Sequence, residues 1–171
     1  MTSAVLHKIP VRPLTPEAFA PYGQVISARQ TGGQAGESHE DHAKDPTEAQ
    51  LMLTNGQPRL WIMRLSKVGV RFKRIARHRK VTQCLGSLGG KSWLLGVAPP
   101  SDLADSGKPQ LKDIVGFRVP GDCVIKLHVA TWHAGPYFAD DAIDFINLEL
   151  MDTNTADFHA AELGVECVLE D

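Results

Sequence analysis

From residue 59 onward the chain is a succession of short apolar runs, each closed by a breaker, and no other feature constrains the fold as much. The runs read as strands near 59–65, 70–75, 81–85, 92–97, 114–119, 124–129, 135–138 and 143–150. Gly69, Gly89-Gly90, Pro99-Pro100, Pro120-Gly121 and Asp140-Asp141 punctuate them. Strands spaced by about 8–12 residues with turn signals between them predict an all-β sandwich or barrel. No amphipathic helix of 10–15 residues separates them, which disfavours a βαβ arrangement.

The flanks read differently. Thr15-Pro16-Glu17 is a helix start, with a capping hydroxyl, a proline at the first position and an acid at the positive dipole end. Pro21 and Gly23 stop that helix after one or two turns, and a strand is expected at 24–26. Residues 28–50 are rich in Gly, Gln, Glu, Asp, His and Lys and are expected to form a flexible surface loop or lid. His39 and His42 lie there beside Glu37, Glu40 and Asp41. A solvated acidic loop is the favoured reading over a metal site, because ordering such ligands costs entropy. A short helix is expected at 155–163 and a last strand at 165–169.

A length of 171 residues suits a single domain spanning 1–171, and a hydrophobic fraction of 43% is enough for a core. Lys+Arg 18 against Asp+Glu 20 argues against a nucleic-acid surface. No apolar stretch approaches the ~20 residues that span a bilayer, so no membrane association is expected. The N-terminal residues have no signal-peptide pattern. Cys84, Cys123 and Cys167 are odd in number and far apart, so buried structural thiols in a reducing cytoplasm are expected rather than disulfides.

Two clusters carry chemistry. In 124–129, period-two alternation places Ile125, Leu127 and Val129 on one face and Val124, Lys126 and His128 on the other. Lys126 and His128 then face either solvent or a ligand inside a barrel. Trp132 and His133 follow just beyond the strand end. The second cluster is Arg77-His78-Arg79-Lys80, with Thr82-Gln83 after it. It is either a charged turn or an anion-binding mouth, where an arginine would pair with a carboxylate and Gln83 with an amide-like group. There is no phosphate-cradling glycine loop and no nucleophile elbow.

These motifs together resemble the ureidoglycolate lyase family. The match runs through Leu14-Thr15-Pro16-Glu17-Ala18-Phe19, Tyr22-Gly23-Gln24-Val25-Ile26, Arg77-His78 with Thr82-Gln83, residues 94–98, 126–133 and Asp144-Phe145. The resemblance implies a cupin-like β-barrel or jelly roll with one or two short helices, working as a cytoplasmic homodimer. It also implies a carbon–nitrogen lyase that converts ureidoglycolate to glyoxylate and urea in allantoin and purine nitrogen catabolism. By position it carries His78, His128 and His133 over as catalytic residues, and Arg77, Gln83, Lys126 and Trp132 as substrate-binding ones. Ala76, Leu127 and Val129 depart from the family's usual Glu, Tyr and Arg, which leaves another small carboxylate open as the substrate.

The reaction needs a base for the hydroxyl proton and an acid for the departing nitrogen, and histidines serve both roles near neutral pH. In an alternative arrangement, His78, Gln83, His128 and His133 hold a divalent zinc, nickel, manganese or iron ion. A non-catalytic small-molecule-binding cupin and a metal-dependent cupin enzyme of another specificity are the rival readings.

Overall fold

The computed structural model describes residues 6–28, 47–101 and 107–171. Most of the expected 28–50 loop, including His39 and His42, lies outside them. Among the described residues the chain forms eleven strands and two short helices. In order these are β1 (Leu6–Pro13), α1 (Pro16–Phe19), β2 (Gly23–Ser27), β3 (Pro58–Ser66), β4 (Arg71–His78), β5 (Gln83–Ser87), β6 (Gly90–Ala98), β7 (Val115–Gly121), β8 (Cys123–Leu127), β9 (Trp132–Tyr137), β10 (Ala142–Leu150), α2 (Thr153–Ala156) and β11 (Phe158–Glu170).

The architecture is the expected all-β, cupin-like barrel. Strands β1-β11-β4-β9-β6-β7 curl into a closed six-stranded sheet, and β2-β8-β5-β10-β3 form a five-stranded sheet. Alternation along each strand then creates two separate cores. Ile9, Phe72, Ile75, Leu94, Trp132, Tyr137 and Leu169 belong to the core of the closed sheet. Trp93, Leu95, Phe117, Ile125, Leu127 and Phe145 belong to the core shared by the closed sheet and the five-stranded one. Along β6, for instance, Trp93, Leu95 and Val97 join one core and Leu94 and Ala98 the other.

Helix α1 forms as read: Thr15 Oγ1 accepts from Ala18 N at 3.2 Å, and Phe19 is buried against Tyr22 and Phe117. Gly23 must be glycine because a Cβ there would stand 2.0 Å from the Lys126 carbonyl oxygen on β8. All three cysteines are free and buried. Burial pushes the thiols of Cys84 and Cys123 up to about 11, so neither is a ready thiolate.

Two local expectations are corrected. The segment 155–163 is not a helix. Helix α2 ends at Ala156, and Phe158–Glu170 is a long strand that pairs antiparallel with β4 and parallel with β1. Residues 6–13, not read as a strand from sequence, form β1. Pro10 and Pro13 weaken the strand signal there, but Ile9 is buried and the segment closes the barrel between β11 and β7.

Candidate active site

Between the two sheets lies a cavity of about 250 Å³ where the polar groups converge. That is smaller than the ~300–1,000 Å³ typical of sites for drug-sized ligands, so it suits a small metabolite. His78 at the end of β4 and His133 on β9 line it from the closed sheet. Gln83, Asn147, Glu149, Arg59 and Trp61 line it from the five-stranded sheet, with Ile125 and Leu127 forming its apolar wall.

The two imidazoles stack with ring centroids 5.5 Å apart and planes 25° from parallel. Each is fixed by what its Nδ1 meets. His133 Nδ1 lies 3.2 Å from the Thr131 carbonyl oxygen, which can only accept, so Nδ1 carries the proton and Nε2 keeps its lone pair. Burial, and secondarily the charge of His78, push the His133 imidazole down to about 4, so it is neutral at physiological pH.

His78 Nδ1 lies 2.9 Å from Thr153 Oγ1, which donates to Asp157 Oδ1 at 2.7 Å. The hydroxyl hydrogen is thus committed to the carboxylate, and Thr153 accepts from His78 Nδ1–H. Asp157 is 3% exposed and accepts from the Lys80 backbone N–H at 3.0 Å. A fixed carboxylate behind a hydroxyl orients the ring and stabilises positive charge on it as that charge forms. Thr153→Val should therefore lower turnover by roughly tenfold, a part of the ~10²–10⁴-fold that the acid–base group it positions supplies, and Thr153→Ser should restore it. Equal rates in all three proteins would remove Thr153 from the site's machinery.

Opposite the histidines, Glu149 is 1% exposed and fully engaged. Its Oε1 accepts from Arg59 Nε at 3.1 Å, Arg59 Nη2 at 2.5 Å and Trp61 Nε1 at 3.1 Å, and its Oε2 accepts from Gln83 Nε2 at 2.7 Å. The Arg59 guanidinium also lies 4.8 Å over the Trp61 ring. Glu149 therefore anchors Arg59 through Nε and Nη2. Asn147, on the same strand, has its Oδ1 buried with no hydrogen-bond partner among the described residues. An unmade buried acceptor costs roughly 1–3 kcal/mol.

Of the residues singled out from sequence, His78, His133 and Gln83 come together in this cavity. The others do not reach it. Arg77 alternates to the opposite side of β4 and is 0% exposed. Its Nε donates to His159 Nδ1 at 3.1 Å, it bonds Ser101 Oγ, and its guanidinium lies 4.4 Å over the Trp132 ring. Trp132 is in that same core and donates Nε1–H to Ser101 Oγ at 3.2 Å. His159, on β11, is thus Arg77's partner.

Lys126 and His128 face away from the cavity, since on β8 it is Ile125 and Leu127 that line it. Neither is an exposed sheet residue in the simple sense. Lys126 is 4% exposed, with Gln24 and Cys84 as cross-strand neighbours, and its Nζ donates to His128 Nδ1 at 3.0 Å. His128 Nε2–H then donates to the Ala20 carbonyl at 3.2 Å. Burial first, then the lysine charge, lower the His128 pKa, and burial lowers that of Lys126. The pair ties β8 to the end of α1.

This separation bears on a resident metal. His128 is on the wrong face to join His78 and His133, and the Gln83 amide donates to Glu149. Among the described residues no group of three or more His, Cys, Asp or Glu side chains converges. Two imidazoles are fewer than the three protein ligands of a catalytic zinc site. Among the described residues, the donors at this cavity do not fit a zinc, nickel, manganese or iron centre of the kind the sequence suggested.

Arg59, Trp61, Asn147 and Glu149 were missed by sequence reading. The alternation of β10 and β3 was the available signal. It places Asn147 and Glu149, and Arg59 and Trp61, at positions two apart on one face.

The family model for ureidoglycolate lyase matches residues 6–170. The chain belongs to the ureidoglycolate lyase family. A ureidoglycolate lyase of Agrobacterium fabrum (strain C58 / ATCC 33970) is 30% identical over 135 residues, covering 72% of each chain. The family's model begins with the barrel-closing β1 and runs through β11, so it takes in every wall of the site.

Proposed function

We propose that this member of the ureidoglycolate lyase family cleaves ureidoglycolate to glyoxylate and urea as a carbon–nitrogen lyase. The observation that carries the reading is the stacked histidine pair, with both rings fixed through Nδ1, in one small cavity with an anchored arginine.

In this reading Arg59 Nη1 holds the substrate carboxylate, and the hydroxyl lies against His133 Nε2. His133 takes the hydroxyl proton. The C–O electrons form the aldehyde carbonyl, the C–N bond breaks, and its electron pair stays on the departing urea nitrogen. His78, as imidazolium with Thr153 and Asp157 behind it, gives that nitrogen its Nε2 proton. Proton return from His133 to His78 closes the cycle. Each acid or base role is typically worth ~10²–10⁴-fold.

The test is direct: purified protein with ureidoglycolate, urea and glyoxylate measured together. Equimolar products well above the spontaneous rate are expected. A folded sample that shows no turnover overturns the lyase reading.

The working form in this proposal is one domain assembled as a homodimer in the cytoplasm. The three unpaired thiols suit a reducing compartment. The outer face of the five-stranded sheet supports self-association. Leu60 and Ile62 on its edge strand are 66% and 62% exposed, beside a groove lined by Ile26, Val124, Ile146 and Leu148. No helix among the described residues is long and apolar enough to cross a membrane.

A further inference from the structure

Three rings stand in a row on neighbouring strands of the closed sheet, and the proposed proton transfers use only two of them. The strand order there is β11-β4-β9. On one side, His78 of β4 stacks with His133 of β9. On the other it meets its cross-strand partner Phe158 of β11, with ring centroids 5.8 Å apart and planes 54° from parallel. His78 is 5% exposed, whereas Phe158 is 43% exposed and lines the cavity.

The chain leading from α2 into β11 repeats one pattern twice. Thr153 and Asp157 are buried and hold His78 from behind. The residue after each of them, Asn154 and Phe158, is exposed and lines the cavity. An inner pair thus orients the proton donor, and an outer pair faces the incoming molecule. The shared backbone fixes the outer pair in position relative to the His78 ring.

The direction of the reaction decides what the outer pair meets. His133 takes the hydroxyl proton and His78 gives one to the departing nitrogen. The substrate's C–O bond therefore lies on the His133 side and its C–N bond on the His78 side. The ureido group then extends past His78, away from His133, toward Phe158 and Asn154. It is a flat, conjugated group that ends in an amide. An aromatic face suits the flat part, and a side-chain amide, with both donor and acceptor, suits the end. We infer that Asn154 and Phe158 form the subsite for the ureido group. The Phe158 ring packs on its plane, and the Asn154 amide hydrogen-bonds its carbonyl and terminal NH2. The inference rests on the lyase reading for the direction in which the substrate lies, and its test needs no turnover.

Three unreactive ligands provide the test. Ureidoacetate has the carboxylate and the whole ureido group but not the reacting hydroxyl. In N-acetylglycine a methyl group replaces the terminal NH2. Glycolate has the carboxylate and hydroxyl and no ureido group. Calorimetry on the full chain should show ureidoacetate binding about fivefold more tightly than N-acetylglycine, the usual worth of one hydrogen bond. Asn154→Ala should erase that preference and leave N-acetylglycine binding as in the parent. Phe158→Ala should weaken both planar ligands by about tenfold, through lost apolar cover and ring contact. Phe158→Tyr keeps the ring and should bind both as the parent does. Glycolate should bind to the parent and to all three variants alike.

Equal binding of ureidoacetate and N-acetylglycine by the parent overturns the assignment, as does a preference that survives in Asn154→Ala. So does a Phe158→Ala variant that loses glycolate as strongly as ureidoacetate, because the ring would then act through His78 or the fold. Turnover of ureidoglycolate without this discrimination sinks the subsite alone. Discrimination without turnover sinks the lyase reading and leaves Asn154 and Phe158 as a ureido-binding pair.

Discussion

His133→Gln is expected to lower ureidoglycolate turnover by about 10²–10⁴-fold, the usual worth of a positioned acid–base group. Glutamine is polar, fills similar space and has no titratable nitrogen, so the loss reports the missing imidazole base rather than a cavity. The same variant should change the acid limb of stability. In the folded chain His133 titrates at about 4 because burial and the neighbouring His78 penalise its charge, whereas an unfolded histidine titrates near ~6.5. Above the unfolded value both states are neutral and His133 adds no pH dependence. As pH falls from there toward 4, the unfolded chain binds a proton that the folded chain refuses. Stability present at neutral pH is then lost at up to about 1.4 kcal/mol per pH unit, or roughly 3 kcal/mol across the window. Glutamine cannot titrate, so the variant should lose less between pH 7 and pH 4.5. Urea unfolding at the two pH values reads the difference. A slope equal to the parent's shows that His133 is not held neutral by the fold.

Arg59→Ala should be the most damaging single change at the five-stranded wall of the site. Glu149 is almost completely buried and Arg59 is its only cationic partner among the hydrogen bonds of that cluster. Removing one member of a buried pair leaves an uncompensated charge and typically costs about 3–5 kcal/mol. The variant should also raise KM for ureidoglycolate much more than it changes the pH profile of kcat, since Arg59 holds the carboxylate while the histidines move protons. Replacing both partners, Arg59→Met with Glu149→Leu, should recover most of the stability, because an apolar pair avoids the desolvation of two charges. It should not recover binding. Denaturant unfolding together with steady-state kinetics separates these outcomes. A single variant as stable as the parent, with an unchanged KM, would remove Arg59 from both roles.

The fates of Arg77 and His78 show why part of the site was legible and part was not. They are adjacent, both are polar, and both belong to one of the short motifs on which the resemblance to the family rests. One residue of alternation sends them to different cores: His78 into the cavity between the sheets, Arg77 under Trp132 inside the closed sheet. A linear motif does not record on which side of a strand each member falls when both sides are buried. The same ambiguity attaches to β8. Ordinary alternation correctly separated Ile125 and Leu127 from Lys126 and His128. The cavity, however, lies on the apolar side, and the basic pair closes a structural contact with α1.

The sequence by itself determined the all-β class, most of the strands, the capped first helix, the buried thiols and three residues of the cavity. These are consequences of local pattern: period-two alternation, turn residues, a capping hydroxyl and short motifs. Tertiary structure decided the rest. It made 6–13 a strand despite two prolines, because closing the barrel between β11 and β7 outweighs the weak local preference. It extended β11 through residues expected to be helical, because pairing with β4 and β1 satisfies the backbone there. It also brought Arg59, Asn147 and Glu149, distant in sequence, opposite His78 and His133. Which acceptor is left unfilled and which arginine is anchored depends on register between strands, and no single strand carries that information.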